Sequence, residues 1–327
     1  MLKNKSIWQN KLTFYAVPFA VLALAIAGCG DDEGGGGEGS DLSGKITIDG
    51  SSTVYPFAQA AAELFGEDNP NVQISVGLSG TGGGFEKFCA GETDISDASR
   101  PIKDEDEVPV CEENGVEFEE LQVVLDGLSV VANPTIEASC LSTDQLKQLW
   151  QNGSKVSNLS ELGNDPGTGE PLPSVAVSLF GPGTDSGTFD YFTDEINGEE
   201  GNTRSDYQPS EDDNVLVQGV AGDEGGLGYF GYSYADENRD KLKIIAVDGG
   251  EGCVEPTLET IQSGEYTPLS RPLFMYPSKQ ALARPEVKAF LEFALDNHER
   301  ISEAAQYIPM TDEQADEGKE KLASLAG

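Results

Sequence analysis

Positive charge is scarce in this chain: 20 Lys and Arg stand against 58 Asp and Glu in 327 residues, a formal net charge of -38. With no basic stripe to displace counterions from a phosphodiester backbone, the composition argues against nucleic-acid binding. Histidine is nearly missing. His298 alone is available as a general base, and near a helix end within Asp296-Asn297-His298-Glu299-Arg300 it is expected to be solvated. The five cysteines contain no Cys-x-x-Cys spacing, so with one histidine a zinc site lacks its ligands. No glycine-rich loop ends in Gly-Lys-Ser/Thr, which removes a P-loop, and Phe85 stands where a dinucleotide fingerprint needs its third glycine. Ser186 lacks a nucleophile elbow, Thr184 occupying the first glycine position of Gly-x-Ser-x-Gly. These absences point away from an enzyme and imply neither a metal nor an organic cofactor.

A chain of this length, with 38% hydrophobic content, suffices for two domains with their own cores. Its many carboxylates suit a solvated surface in a salty medium, where the Debye length falls to roughly 3 Å at 1 M salt. A small anion would then feel mainly the donors beside it. The N-terminus carries Lys3, Lys5 and Lys11, and then an apolar run over 12–27. That run is shorter than the ~20 residues of a membrane span. Ile26-Ala27-Gly28-Cys29 follows and resembles the lipobox of bacterial lipoproteins, in which cleavage leaves Cys29 as the lipidated first residue. The alternative is an ordinary signal peptide with an incidental cysteine. Residues 1–28 are thus expected as a signal peptide and 29–43 as an acidic, Gly-rich tether of roughly 20 Å root-mean-square reach. The chain is expected outside the cytoplasm, held to a membrane by lipid. Cys89, Cys111, Cys140 and Cys253 remain, an even number in an exported chain. Of the three possible connectivities, Cys89 with Cys111 and Cys140 with Cys253 is favoured, because each bridge stays within one lobe of the layout that follows.

Ile46 and Ile48 alternate over 45–49, Val72, Ile74 and Val76 over 72–76, and further strands are expected over 93–96, 128–132, 175–180, 241–247 and 273–276. Helical spacing is expected over 54–65, 84–90, 143–150, 188–196 and 285–297. The glycine-rich 225–231 suggests a buried turn or a tight backbone approach, and 153–173 an excursion. Alternating strands and helices make an α/β fold of mostly parallel sheets flanked by helices. Three Gly/Ser/Thr loops recur between a strand and a helix: Gly50-Ser51-Ser52-Thr53, Ser79-Gly80-Thr81-Gly82-Gly83-Gly84 and Gly183-Thr184-Asp185-Ser186-Gly187-Thr188. Small residues let an anion approach the backbone, the first helical N–H groups lack partners, and hydroxyls add donors. Two lobes with a ligand between them is the economical arrangement.

Asp49-Gly50-Ser51-Ser52-Thr53-Val54-Tyr55-Pro56, the second loop, Ala98-Ser99-Arg100-Pro101-Ile102, Asp185-Ser186-Gly187-Thr188 and Pro268-Leu269-Ser270-Arg271-Pro272-Leu273 together resemble the phosphate-binding proteins of bacterial ABC transporters. These have the two-lobed type II periplasmic-binding-protein fold, and the third loop with Glu211-Asp212-Asp213-Asn214 is similar to a cyanobacterial-type branch. The resemblance implies a monomer with lobe 1 over 44–128 and 273–327, lobe 2 over 129–272, and hinges near Ser129 and Pro272. Inorganic phosphate and an ABC permease are the implied partners. Phosphate contacts are implied for Ser52, Thr53, Ser79, Thr81 and Ser99 on one lobe, and for Ser186, Gly187 and Thr188 on the other. Many relatives place Asp after the first-lobe serine and Arg shortly before Ser-Gly-Thr. Here Arg100 follows Ser99 and 181–185 has no Arg, so Arg100 is the expected cation, with Arg204 second unless it merely pairs with Asp206 at the surface. Phosphate carries a proton that needs an acceptor, which Asp97, Asp49 or Asp185 could supply, although each also suits a turn or helix cap. A binder of sulfate or another tetrahedral oxyanion on the same fold is the nearer alternative, a secreted phosphoester hydrolase the further one.

Overall fold

The computed structural model describes residues 42–184 and 186–326. The expected signal peptide, Cys29 and the tether up to residue 41 lie outside the described residues, as does Asp185. Strand β1 (Gly44–Gly50) buries Ile46 and Ile48 while Lys45 and Thr47 face water. It feeds α1 (Tyr55–Asp68), where Pro56 sits in the first turn and the missing N–H costs nothing. Phe57, Ala58, Ala61 and Phe65 form the buried stripe of α1. Then come β2 (Val72–Val76), α2 (Gly80–Cys89) and β3 (Ile95–Ala98), both strands parallel to β1 on its two sides. After α3 (Val108–Glu113) runs β4 (Leu121–Ala132), the longest strand described, at 12 residues.

The chain continues through β5 (Cys140–Ser142) and α4 (Thr143–Trp150), opened by a Ser142–Gln145 capping box. Next follow β6 (Ser178–Pro182), α5 (Gly187–Phe192) with a π-helical extension over Thr193–Asn197, β7 (Gln208–Ser210), α6 (Asp213–Gly222) and β8 (Gly226–Gly231). Beyond them lie α7 (Tyr232–Glu237), β9 (Lys243–Asp248), β10 (Cys253–Val254), α8 (Leu258–Gln262) and β11 (Ser270–Pro277). Four helices close the chain: α9 (Lys279–Leu282), α10 (Pro285–Asp296), α11 (His298–Ala305) and α12 (Asp312–Ala326). The expected turn over 225–231 is a buried strand instead, but the tight approach is real: a Cβ on Gly228 would lie 2.5 Å from the carbonyl oxygen of Phe180.

Hydrogen bonding runs β2-β1-β3-β11-β4-β8-β6-β7, and β9 joins β4 to β5 and β10. β1 with β2 and β3, β5 with β9, and β6 with β7 and β8 pair in parallel, whereas β4 and β11 run antiparallel to their neighbours and β10 antiparallel to β9. Up to Gly127, β4 pairs with β11; from Leu128 it pairs with β8 and β9. One apolar core gathers Ile46, Phe57, Val123, Leu273, Met275 and Phe290. A second gathers Leu128, Val130, Trp150, Phe192, Tyr229 and Ile245, with the Phe192 and Tyr229 rings stacked 3.7 Å apart, and two smaller clusters form around Phe230 and around Phe88.

Both favoured disulfides form, Cys89–Cys111 beneath α2 and Cys140–Cys253 across β5 and β10, closing sequence separations of 22 and 113 residues. The longer loop removes more freedom from the unfolded chain. Replacing Cys140 and Cys253 by serine should lower stability by about 2–5 kcal/mol in denaturant titrations, and more than replacing Cys89 and Cys111. The reverse order would contradict the loop-length argument.

Candidate functional site

The first loop is shaped by Gly50, whose φ of +148° favours glycine and where a Cβ would lie 2.0 Å from the carbonyl oxygen of Asp97. Ser51 then donates its N–H to that oxygen at 2.9 Å and accepts from the Thr53 N–H at 3.2 Å, a tight corner at the carboxyl end of β1. Thr53 is buried and Ser52 exposed. The Tyr307 hydroxyl, beyond α11, donates to the Thr53 carbonyl at 2.6 Å and ties the corner to the end of the chain.

The second loop is not a loop throughout. The sequence predicts a helix over 84–90, but α2 starts at Gly80, so Thr81 and the three glycines form its first turns. A Cβ on Gly84 would lie 2.6 Å from the Gly50 Cα, so the glycine lets this helix press onto the first corner. Thr81 and Ser99 share a hydroxyl contact at 3.0 Å, and the Ser99 N–H donates to Thr81 Oγ1 at 3.2 Å. Ser79 donates its hydroxyl to Asp49, whose other oxygen meets Lys87 Nζ at 2.6 Å. Burial pushes Asp49 up, but the bonds from Lys87 and Ser79 outweigh it and hold the carboxyl below its ordinary range.

The third loop faces them. Ser186 caps α5 by accepting from the Thr188 N–H at 3.2 Å. A Cβ on Gly187 would stand 2.9 Å from Thr53 Oγ1, so the corners of the two lobes touch. Beside this contact opens a cleft of about 610 Å³ lined by Ser51, Ser52, Thr53, Thr81 and Ser99, with Tyr191 and Asp190 of α5 opposite. Thr188 faces a smaller hollow of about 130 Å³ next to Asp126 and Tyr307. Another hollow, of about 580 Å³, lies beside Thr93 and Ser278, but its cations Lys279 and Arg284 are paired with Glu117 and Asp94.

The expected cations part ways. Arg100 lines the cleft, yet it gives Glu107 a bidentate pair at 2.9 and 2.7 Å and Pro101 O a further bond at 3.0 Å. Arg204 does pair with Asp206, at 2.6 and 2.9 Å, but it is buried rather than a surface residue. Its Nη1 donates to the carbonyls of Leu149 and Val156, so it clamps the loops behind α4 and lines none of the cleft. Arg271 of β11 is the lining cation that inspection of the sequence passes over, although it stands in the Ser270-Arg271-Pro272 motif. Of the carboxylates, Asp49 is committed to Lys87 and Ser79. Asp97 is buried in β3, neither oxygen having a partner, and burial with Asp49 nearby raises it well above its ordinary value. Asp190 is the half-buried carboxylate in the cleft, lifted to about 6 by burial and by Glu200, with Arg271 opposing. His298 is buried, not solvated: it opens α11, Asp312 of α12 lies 3.8 Å from its Nε2, and it lines none of the cleft. Among the described residues no group of His, Cys, Asp and Glu is arranged to hold a metal ion.

The PBP superfamily domain matches residues 36–298. Protein SphX of Synechococcus elongatus is 42% identical over 276 residues, 84% of this chain and 80% of that protein. The phosphate-binding protein PstS of Staphylococcus saprophyticus is 35% identical over 315 residues, 95% of this chain and 93% of its own length. The crystal structure of a possible phosphate binding protein from Planctomyces limnophilus superposes with a TM-score of 0.79 at 45% identity, covering 88% of this chain and all of that one.

Asp190 generates a pH test. The folded chain holds its proton up to about 6, whereas the ordinary value is 3.8, so the group's contribution to folded stability falls as pH rises through that window. Asp190→Asn should therefore melt above the unsubstituted protein at neutral pH, with the gap closing toward about pH 4. An unchanged gap across that range would contradict the assignment.

Proposed function

The chain belongs to the PBP superfamily, and from that footing we propose that it is an extracytoplasmic solute-binding protein that captures inorganic phosphate between its lobes and hands it to an ABC permease. The carrying observation is the contact of Thr53 with Gly187, which brings the Thr53 hydroxyl of the first corner against the start of α5 beside the cleft. In this reading Ser52, Thr53, Thr81 and Ser99 serve from lobe 1 and Ser186, Gly187 and Thr188 from lobe 2. Ser79 and Arg100, implied by the sequence, have their side chains engaged by Asp49 and Glu107 and are given no phosphate contact in this reading. Asp190 supplies the acceptor for the phosphate proton. Sulfate has no such proton and would face that carboxylate unpaired.

Lobe 1 comprises residues 44–128 and 273–327, lobe 2 residues 129–272, and they close about hinges near Ser129 and Pro272. This is supported by the change of partners of β4 at Leu128 and by Leu269 and Leu273 belonging to different cores. The two disulfides support an oxidising compartment. The hydrolase alternative has little to stand on, since the single histidine is packed away from the cleft.

Calorimetry with phosphate, sulfate, arsenate and molybdate tests the reading. One phosphate should bind per chain and excess sulfate should fail to displace it; sulfate binding without phosphate binding would replace the proposal by its nearer rival. Lipidation at Cys29 completes the proposal: Cys29→Ser should release the protein from membranes, and its retention there would remove the anchor.

A further inference from the structure

An anion enclosed between two lobes needs a cation with donors to spare, because a buried charge without a partner is costly. Among the described residues, only Arg100 and Arg271 bring positive charge to the cleft lining, against Asp190, Asp194, Glu195 and Glu200. Arg100 is neutralised through both arms of its fork by Glu107. Turning it toward a ligand would break that bidentate pair.

Arg271 is placed differently. It stands opposite Asp126 in the β11–β4 register, and its Nε lies 3.6 Å from Asp126 Oδ2, an ion pair too long for a hydrogen bond. Its guanidinium carbon lies 3.6 Å from the centroid of the Tyr191 ring, and the Tyr191 hydroxyl donates to Pro268 O at 2.6 Å, which fixes that ring. Nη2 donates to Thr53 Oγ1 at 3.3 Å, while Nη1 makes no hydrogen bond among the described residues. The guanidinium is thus held by its flank and face, with its outer edge left toward the corner where Thr53 meets Gly187. It touches lobe 1 at Thr53 and lobe 2 at Tyr191, so it is fully framed only when the lobes are together.

Resting on the phosphate reading above, we propose that Arg271 is the cation that meets the charge of the bound anion and that Arg100 serves the fold of its own loop. The stacked, forked guanidinium is suited to two oxygens of one tetrahedral anion. Because it issues from a strand shared by both lobes, its engagement also couples capture to closure.

The test is calorimetry with inorganic phosphate on the full chain. Arg271→Gln should lose at least about 30-fold in affinity, the scale for truncating one partner of a desolvated charge pair. Arg271→Lys, which keeps the charge but loses the fork and stacking, should fall between Arg271→Gln and the unsubstituted protein. Arg100→Gln should lose no more than about 5-fold. Since removing Arg271 alone strands Asp126, the double variant Arg271→Met/Asp126→Asn removes the pair together and keeps much of its volume. It should fold, by thermal melting, and show the same loss as Arg271→Gln. Near-normal phosphate affinity in either neutral variant, or a larger loss from Arg100→Gln than from Arg271→Gln, would overturn the assignment while leaving phosphate binding intact. A substituted-free chain that bound no phosphate would overturn the parent reading as well.

Discussion

The structure turns on one antiparallel pair of strands that belongs to both halves. β4 lends its first half to β11 and its second to β8 and β9, so each lobe builds its core on backbone that continues directly into the other. A connection through extended strands permits bending at a few residues while the cores on either side stay packed. It also brings the carboxyl end of β1 and the start of α5 to one place, where Thr53 and Gly187 meet without room for another carbon. All the polar chemistry of the cleft follows from that convergence.

Charge in this molecule has to be judged locally. The sequence carries 38 more acidic than basic residues, and salt at about 0.15 M screens exposed charges beyond roughly 8 Å. Within the cleft the relevant quantities are which donors are already spent and which carboxylates resist ionisation. Glu107 spends Arg100, Lys87 spends Asp49, and Asp190 is held up by burial. An acidic protein is in this way compatible with an anion site, because the carboxylates of the cleft, Asp190, Asp194, Glu195 and Glu200, are faced by Arg271, and Asp190 ionises only above about 6.

How much was legible beforehand depended on how local the cause was. The first and third corners could be recognised because a period-two strand, small residues and a helix follow one another directly in the chain. The disulfides were legible because the lobe layout left one economical pairing. Helix α2 begins earlier than its sequence suggests because contact with Gly50 outweighs the poor helix propensity of successive glycines. Arg204 suggested a surface residue, yet the carbonyls of Leu149 and Val156 needed a donor and drew it inside. His298 is buried at the start of α11, a placement the local pattern did not reveal, with Asp312 at the start of α12 3.8 Å from its Nε2. Arg271 was hardest to see. Its partners Asp126, Tyr191 and Thr53 come from three distant segments: strand register brings Asp126, while helix α5 and the corner after β1 bring the other two.

The bond from Tyr307 to the Thr53 carbonyl has a consequence for biogenesis. A corner contributed by the earliest strand is secured by a side chain from the closing segment, so a partly synthesised polypeptide has the ligand loop but not its brace. The brace therefore reaches the ligand corner only once the chain has been made as far as Tyr307, 254 residues beyond Thr53.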